Sequence, residues 1–343
     1  MRAVVYTAFQ GPVTVEQLPD PAPSRAGVVL SVEATGLCRS DWHGWMGHDE
    51  DIKAFPHVPG HELAGVVAAV GPDVRRWRVG DRVTVPFISA CGTCPSCQAG
   101  DQQVCHHQTQ PGFTHWGSYA DLVALDHADV NLVALPERMA YDTAAALGCR
   151  FGTSFRAVRD VAKVQAGEWV AVHGCGGVGL SAVLIAAAAG ARVIAVDVND
   201  EALALARTFG AVAAVKEDVV PAIQDLAGGG AHVSLDALGH PATAANSVSC
   251  LRRRGRHVQV GLLPGGPTPL PMGKVVAHEL SLLGSHGIAA HAYPEMLALV
   301  ASGRLPVDRL VTRTIGLAEA AAALPAMATS TAAGMTMIRP NHD

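Results

Sequence analysis

The chain has 343 residues, more than the roughly 100 to 200 that one compact core usually holds, and this length predicts about two domains. Hydrophobic residues make up 49% of the sequence and charged residues only 16%, which excludes an intrinsically disordered protein. The formal net charge of -5 argues against a nucleic-acid-binding surface, because such a surface needs an excess of basic residues.

The apolar segments are too short for a membrane protein. The longest uninterrupted apolar run, 182–189, has eight residues, whereas a bilayer crossing needs roughly 20. Arg2 is followed by four apolar residues before Thr7, too few for the apolar region of a signal peptide. We therefore expect no membrane span and a cytoplasmic location. In that reducing compartment the eight cysteines favour metal-binding or catalytic thiols over disulfides.

The N-terminal part of the chain has β-like character. Short β-like runs at 28–34, 63–70 and 82–85 are separated by Gly and Pro, which predicts an antiparallel, barrel-like domain. After about residue 286 the remaining chain is too short for a third core. We expect that final segment to pack onto the first domain.

From residue 167 onward, Val- and Ile-rich runs alternate with Ala- and Leu-rich stretches at helical spacing, which is typical of successive βαβ units. The predicted strands are 169–173, 192–197, 211–215, 232–235, 257–260 and 280–283, with helices near 178–189, 200–209, 217–227 and 241–253. Six such strands are the number in a doubly wound dinucleotide-binding sheet. Four arginines at 252–254 and 256 are expected to form a solvated edge between the last helix and the following strand.

A glycine-rich turn follows the first of these strands. The run 170–173 leads into Gly174-Cys175-Gly176-Gly177-Val178-Gly179 and then into an apolar helix. A pyrophosphate can approach the N–H groups and the positive end of that helix only where side chains are absent, which Gly174, Gly176 and Gly179 provide. Asp197 lies 18 residues after Gly179, where a carboxylate accepts hydrogen bonds from the ribose of NAD and repels the extra phosphate of NADP. The pattern therefore predicts an NAD site.

Four cysteines are closely spaced. Cys91, Cys94, Cys97 and Cys105 follow the pattern C-x2-C-x2-C-x7-C, which lets four thiolates bind one tetrahedral ion. The alternative is an iron–sulfur cluster, since the first spacings match the bacterial ferredoxin run, but that run continues with x3 and Cys-Pro. We interpret the cluster as a zinc site. Because sulfur fills all four positions, no water is left to activate and the site is predicted to be structural.

A second set of metal-ligating residues is dispersed along the chain. It comprises Cys38, the adjacent pair His61 and Glu62, and Cys149. Two thiolates and one imidazole would hold zinc with a fourth position open for substrate, and Glu62 could support the site or enter the coordination sphere. Spacing alone does not join these residues, and each cysteine taken singly also fits a buried inert thiol. Cys175 and Cys250 are interpreted as structural.

Together these motifs resemble those of the zinc-dependent medium-chain alcohol dehydrogenases. The resemblance covers nearly the whole chain and rests on Gly36-Leu37-Cys38-Arg39-Ser40-Asp41 with His43, on Gly60-His61-Glu62-x2-Gly65 extending to Gly71, on the four cysteines, on Cys149, and on the segment 174–197. It implies a GroES-like, mainly β catalytic domain at 1–149 and 286–343 that carries a structural zinc lobe. It also implies a six-stranded Rossmann domain at 150–285, with the active site in the cleft between the two.

The resemblance also assigns roles to individual residues. Cys38, His61 and Cys149 would bind a catalytic zinc, with Glu62 beside it. Ser40 would take the proton of the zinc-bound alcohol and pass it through the cofactor ribose to His43. The implied cofactor-binding residues are Arg39 at the pyrophosphate, Thr153 at the nicotinamide, and Gly174, Gly176, Gly177, Val178, Gly179 and Asp197.

The predicted function is reversible oxidation of a primary or secondary alcohol to an aldehyde or ketone, with NAD and two zinc ions per chain. A homodimer or homotetramer is expected, with no nucleic-acid or membrane partner. Two alternatives remain open: a zinc-free quinone or enone reductase that uses NADPH, and a non-catalytic NAD-binding protein. One departure from the family is Arg150, since many relatives have glycine after the last zinc-binding cysteine, so the charge near the metal is expected to differ.

Overall fold

A computed structural model describes residues 1–263, 265–329 and 332–341. The chain folds into two compact units. The first comprises Met1–Gly152, Gly287–Thr331 and Met335–Asp343, and the second comprises Thr153–His286 with Ala332–Gly334. The assignment of these units to catalysis and to NAD binding, with limits at 149 and 286, stays a prediction.

Unit one is built mainly from β-strands. In the described residues a seven-stranded sheet has the order β14-β15-β3-β4-β5-β7, with β6 also paired to β3, and a separate ribbon joins β1 to β2. All these pairs are antiparallel except β14 with β15. The strands are β1 Arg2–Tyr6, β2 Val13–Gln17, β3 Val28–Leu37, β4 Leu63–Val70, β5 Arg82–Thr84, β6 Leu122–Leu125, β7 Val133–Ala134, β14 Val311–Ile315 and β15 Met335–Ile338.

The helices of unit one are short and flank this sheet. They are α1 Arg39–Met46, α2 Pro95–Gln98, α3 Ala128–Asn131, α4 Tyr141–Ala146, α11 Tyr293–Ala301 and α12 Leu317–Ala326, while α5 Cys149–Arg156 begins in this unit. Leu30, Val32, Leu63 and Val67 from the central pair β3 and β4 are completely buried and form its core. The C-terminal strand β15 pairs with β3, so the end of the chain completes the sheet of the first unit.

Unit two is a parallel sheet with helices between its strands. The strand order is β10-β9-β8-β11-β12-β13, and every pair is parallel. Numbered from the first strand of the unit this order reads 3-2-1-4-5-6, the doubly wound dinucleotide-binding topology, and it confirms the predicted α/β fold class. The elements are β8 Trp169–His173, α6 Gly177–Ala188, β9 Arg192–Val196, α7 Asp200–Thr208, β10 Ala211–Val215, α8 Val219–Leu226, β11 Ala231–Asp236, α9 Pro241–Ser249, β12 Leu251–Gln259, α10 Met272–Ala277 and β13 Ser281–Gly284.

The predicted helix at 241–253 is wrong at its C-terminal end. Helix α9 stops at Ser249, and the arginines at 252–254 and 256 lie within strand β12 rather than between a helix and a strand. Arginine favours helices, but pairing with β11 decides the structure here, since Ala231 pairs with Leu251 and Val233 with Arg256. The register shift between these pairs accommodates the extra residues, one of which, Arg254, has a φ of 58°.

None of the helices in the described part of the chain combines the length and apolar character that a membrane crossing requires.

Unit two contains a completely enclosed histidine at the end of β8. His173 is 1% exposed, and burial together with the neighbouring His257 lowers the pKa of His173 to about 3. Its Nε2 lies 3.7 Å from Cys250 Sγ. The native protein therefore keeps His173 neutral, while the unfolded chain protonates it below the ordinary histidine pKa of about 6.5.

Acid should destabilise the protein through His173. Because the folded-state pKa is depressed, the unfolded chain binds an additional proton as the pH falls through about 6.5, which costs up to ~1.4 kcal/mol per pH unit. We expect His173→Asn to lose less thermal stability than the wild type between pH 7 and 5. Thermal midpoints measured across this range test it, with the exposed His291→Asn as control. Equal pH dependence in all three proteins would contradict the assignment.

Candidate metal and cofactor sites

Two groups of metal-ligating side chains converge within the described residues. One group is Cys91, Cys94, Cys97 and Cys105, and the other is Cys38, His61 and Cys149, with the candidate ligand atoms of each group within 4.8 Å of one another. Both groups lie in unit one. The structure thus brings together the dispersed residues that spacing alone could not join.

The four-cysteine group has dimensions that suit zinc. The Sγ atoms of Cys94 and Cys97 are 3.5 Å apart, those of Cys94 and Cys105 are 3.8 Å apart, and those of Cys105 and Cys91 are 3.5 Å apart. A tetrahedral ion with zinc–sulfur bonds near 2.3 Å places its sulfurs about 3.8 Å apart. Backbone N–H groups of Cys94 and His107 donate to Cys91 Sγ and Cys105 Sγ at 3.4 and 3.3 Å, which favours thiolates. The donor set fits a closed zinc site.

Cys38 and His61 are placed by local features of the chain. Cys38 is the N-cap residue of α1, directly after the long strand β3, and His61 lies in the segment before β4. Both are buried, His61 completely. Cys149 opens helix α5. The three residues therefore come from the ends of three different elements that the first unit packs together.

Asp41 orients the imidazole of His61. This carboxylate is 1% exposed, and its Oδ1 lies 2.9 Å from His61 Nδ1 and accepts the N–H of Gly60 at 3.0 Å. Because the carboxylate oxygen accepts, Nδ1 of His61 is the donor in this hydrogen bond. His61 Nε2 is buried and has no hydrogen-bond partner. A buried ring nitrogen without a partner fits a metal ion, which binds the neutral form of the ring in place of a proton.

The two thiols of this group change each other's pKa. A hydrogen bond between them lowers the pKa of Cys38 well below its ordinary value and raises the pKa of Cys149 well above it. Cys38 is therefore the thiol of this pair that loses its proton first as the pH rises. Thiolates are the form that binds metals, and two of them with one neutral imidazole give the donor set of a zinc site with an open fourth position.

Glu62 does not belong to the converging set of ligand atoms. Its side chain is completely buried and accepts hydrogen bonds from Arg150, at 2.8 Å from the backbone N–H to Oε1 and at 2.9 Å from Nε to Oε2. Burial raises the pKa of Glu62, and Arg150 opposes that rise. The structure thus places Glu62 against Arg150.

Ser40 and His43 lie three residues apart on α1 and so occupy the same face of the helix. His43 Nδ1 is 2.9 Å from Nδ1 of the exposed His48. Burial lowers the pKa of His43, and His48 and Arg39 lower it further. His43 is therefore neutral at pH 7 and able to accept a proton.

The predicted cofactor turn has the expected local geometry. Gly176 is the N-cap of α6, and Gly177, Val178 and Gly179 form its first turn. A Cβ on Gly179 would lie 1.7 Å from the carbonyl oxygen of Gly174, so only glycine allows the helix to approach the strand so closely. A Cβ on Gly176 would meet open space, so the exposed helix end is accessible to a ligand.

Asp197 is hydrogen-bonded to the backbone of this turn. Its Oδ2 accepts the N–H of Cys175 at 2.6 Å and its Oδ1 accepts the N–H of Asn199 at 2.8 Å. A carboxylate has about four acceptor positions, so Asp197 keeps capacity for further donors. Of the other predicted cofactor residues, Thr153 lies on α5 and is buried. Arg39 donates a hydrogen bond to the carbonyl oxygen of Met327, and its guanidinium lies 5.2 Å from the centre of the Trp42 ring.

Several residues that contact these sites have no role in the prediction from sequence. They are Asp41, which lies in the motif after Cys38, Tyr119, His48, and Arg150, which the sequence shows only as a departure from the family. Tyr119 donates from its hydroxyl to Asp41 Oδ2 at 2.7 Å across 78 positions of sequence. The signal that could have indicated Asp41 is its place three residues after Cys38, where an acidic side chain can reach back to the start of a helix.

Comparisons with known proteins agree with this geometry. Residues 24–137 match the family model described as the alcohol dehydrogenase GroES-like domain, and residues 177–302 match that of the zinc-binding dehydrogenase. An alcohol dehydrogenase of Geobacillus stearothermophilus is 33% identical over 311 residues, covering 89% of this chain and 90% of that protein.

Two solved structures are similar over 99% of both chains. An alcohol dehydrogenase from Thermus sp. ATN1 has a TM-score of 0.90 at 29% identity. A putative zinc-binding dehydrogenase from Sinorhizobium meliloti 1021, solved with NADP, has a TM-score of 0.88 at 28% identity. With the GroES-like and zinc-binding domain matches and these relatives, the chain belongs to the zinc-type medium-chain alcohol dehydrogenase family of oxidoreductases.

Proposed function

We propose that this oxidoreductase reversibly oxidises a primary or secondary alcohol to an aldehyde or ketone, with NAD and a catalytic zinc. The observation that carries the proposal is the convergence of Cys38, His61 and Cys149, with an unpaired His61 Nε2. Three protein ligands leave a fourth position for substrate, which is the arrangement of catalytic rather than structural zinc sites.

The residues of unit one supply binding and proton transfer. Bound zinc would act as a Lewis acid that lowers the pKa of a coordinated hydroxyl, as it lowers that of bound water to about 7, and NAD would accept the hydride. Ser40 receives the proton of the substrate hydroxyl. His43, which is neutral at pH 7, accepts the proton that Ser40 passes on. The exposed His48, hydrogen-bonded to His43, connects it to solvent.

The preference for NAD rests on Asp197. Its carboxylate stands at the end of β9 against the glycine turn, where it attracts ribose hydroxyls and repels a 2′-phosphate. We further propose two zinc ions per chain, the second in the four-cysteine group, where it holds the loop 91–105 together. A homodimer or homotetramer, with no nucleic-acid partner, completes the proposal.

Exchange of Asp197 should weaken NAD binding. Hydrogen bonds to a charged group contribute about 1.5 to 3 kcal/mol, so Asp197→Ala is expected to raise KM for NAD by roughly tenfold to a hundredfold. Activity with NADP should rise at the same time. Steady-state kinetics with both cofactors test this, with Asp200→Ala as a matched control, since Asp200 is exposed and pairs with Lys216. A wild type that prefers NADP would contradict the assignment.

Metal analysis distinguishes the two zinc sites. Dialysed wild-type protein should contain two zinc ions per chain, and Cys38→Ser and Cys94→Ser should each lower that content by one. Only Cys94→Ser should lower the thermal midpoint strongly, because structural zinc binding contributes on the order of 10 kcal/mol to folding. Cys250→Ala, in the other unit, serves as the control and should keep both ions. A wild-type protein with only one zinc ion per chain would instead favour the alternative of an NADPH-dependent reductase that has no catalytic zinc.

The role of His43 predicts a pH effect. Because its pKa is lowered, His43 is neutral above about pH 6.5, and activity should fall only as the pH drops through that lowered value. His43→Gln should reduce kcat/KM about tenfold or more at pH 7, since positioned proton acceptors contribute up to ~10²–10⁴. A small tertiary amine in the buffer should restore part of the rate. An unchanged pH profile in His43→Gln would exclude this role.

A further inference from the structure

Glu62 and Arg150 form a buried ion pair, and each is adjacent in sequence to a candidate zinc ligand. Glu62 follows His61 in the chain and is completely buried, and Arg150 follows Cys149 and is 6% exposed. The backbone N–H of Arg150 donates to Glu62 Oε1 at 2.8 Å, and its Nε donates to Oε2 at 2.9 Å, with Nη2 bonded to the same oxygen. One residue therefore engages both oxygens of the carboxylate.

The surrounding backbone leaves room for this pair and little else. A Cβ on Gly36 would lie 2.3 Å from Glu62 Oε2 and 2.6 Å from Arg150 Nη2. A Cβ on Gly148 would lie 3.0 Å from the Cβ of Glu62. Glycine thus lines both sides of the pair, since a side chain at position 36 would collide with it and one at position 148 would crowd Glu62. The local sequence leaves room for Glu62 in the position that Arg150 holds.

The charges explain why such a restraint matters. Two thiolates neutralise a divalent zinc ion, so an additional buried carboxylate would give the site a net negative charge, and the guanidinium cancels it. Carboxylate oxygens are also good zinc ligands. An unrestrained Glu62, adjacent in sequence to His61, would compete with substrate for the fourth position. The backbone N–H and the guanidinium of Arg150 together hold both carboxylate oxygens, and these charge-assisted hydrogen bonds remove that competitor.

We propose that Arg150 is a positioning residue that holds Glu62 away from the metal and thereby keeps the fourth coordination position open for the alcohol. This inference rests on the proposed zinc site at Cys38, His61 and Cys149. It assigns Glu62 to the support of the site and excludes it as a ligand while Arg150 is present. Removal of Arg150 would leave Glu62 buried without its charged partner, which is unfavourable. Binding to the metal ion would then be the way for the carboxylate to regain a positively charged partner.

The test uses full-length protein with Co²⁺ in the catalytic site and imidazole as an added metal ligand. Imidazole binding is followed by the visible spectrum of the cobalt, which reports coordination independently of turnover. Arg150→Met should weaken imidazole binding about tenfold or more, in the range found when partners of metal ligands are removed, because Glu62 then occupies the fourth position. In the matched double variant Arg150→Met/Glu62→Gln, where the competing carboxylate is gone, imidazole affinity should return to the wild-type value.

Two outcomes would overturn the inference: unchanged imidazole affinity in Arg150→Met, or the same loss in the single and the double variant. If Arg150→Met does not fold, Arg150→Lys and Arg150→Lys/Glu62→Gln are compared in the same way, since lysine keeps the charge but offers one nitrogen where the guanidinium places two on Oε2. The thiolate-to-cobalt absorption band, which should vanish in Cys38→Ser, reports on the metal site itself. If the wild type lacks that band, the proposed function fails together with the inference. If the band is normal but Arg150→Met leaves imidazole affinity unchanged, only the inference is refuted.

Discussion

The candidate metal site depends on one buried carboxylate, that of Asp41. It accepts hydrogen bonds from His61 and from the N–H of Gly60 through Oδ1, and from the N–H of Cys38 and the hydroxyl of Tyr119 through Oδ2. These contacts join the start of α1 to the segment before β4. They also leave the Nε2 of His61 without a hydrogen-bond partner. The same hydrogen bonds therefore hold this region together and leave a buried nitrogen available for a metal ion.

A second buried carboxylate, that of Glu62, lies next to His61 in the chain. Glu62 is as deeply buried as His61, and Arg150 satisfies both of its oxygens. Buried charges are tolerated only when they are paired and hydrogen-bonded, and each of these two carboxylates meets that condition with a different partner. Asp41 contacts His61, whereas Glu62 contacts Arg150. The two adjacent residues His61 and Glu62 are thus held by different partners.

Local patterns predicted much of the fold, and long-range contacts account for what was missed. The glycine turn, the parallel strands of unit two and the four-cysteine group each depend on residues close in sequence, so spacing was informative. The end of α9 was wrong because pairing of Leu251 with Ala231, and not the helix propensity of the arginines, determines it.

The dispersed candidate site was less accessible to sequence reasoning. Cys38, His61 and Cys149 could be joined only through resemblance to a family, since no spacing relates them. Arg150 was recognised as a departure from that family, but its contact with Glu62 spans 88 positions and could not be foreseen. Tyr119 likewise has no local signature. Side chains that satisfy buried charges are chosen by the packed structure, and single-sequence patterns do not show them.

The most direct test of the account is anomalous scattering at the zinc edge from crystals of the zinc-loaded protein. We expect one peak about 2.3 Å from the Sγ atoms of Cys38 and Cys149 and about 2.0 Å from His61 Nε2, with a non-protein ligand in the fourth position. A second peak should lie among Cys91, Cys94, Cys97 and Cys105. Absence of the first peak from fully loaded protein would contradict the central claim.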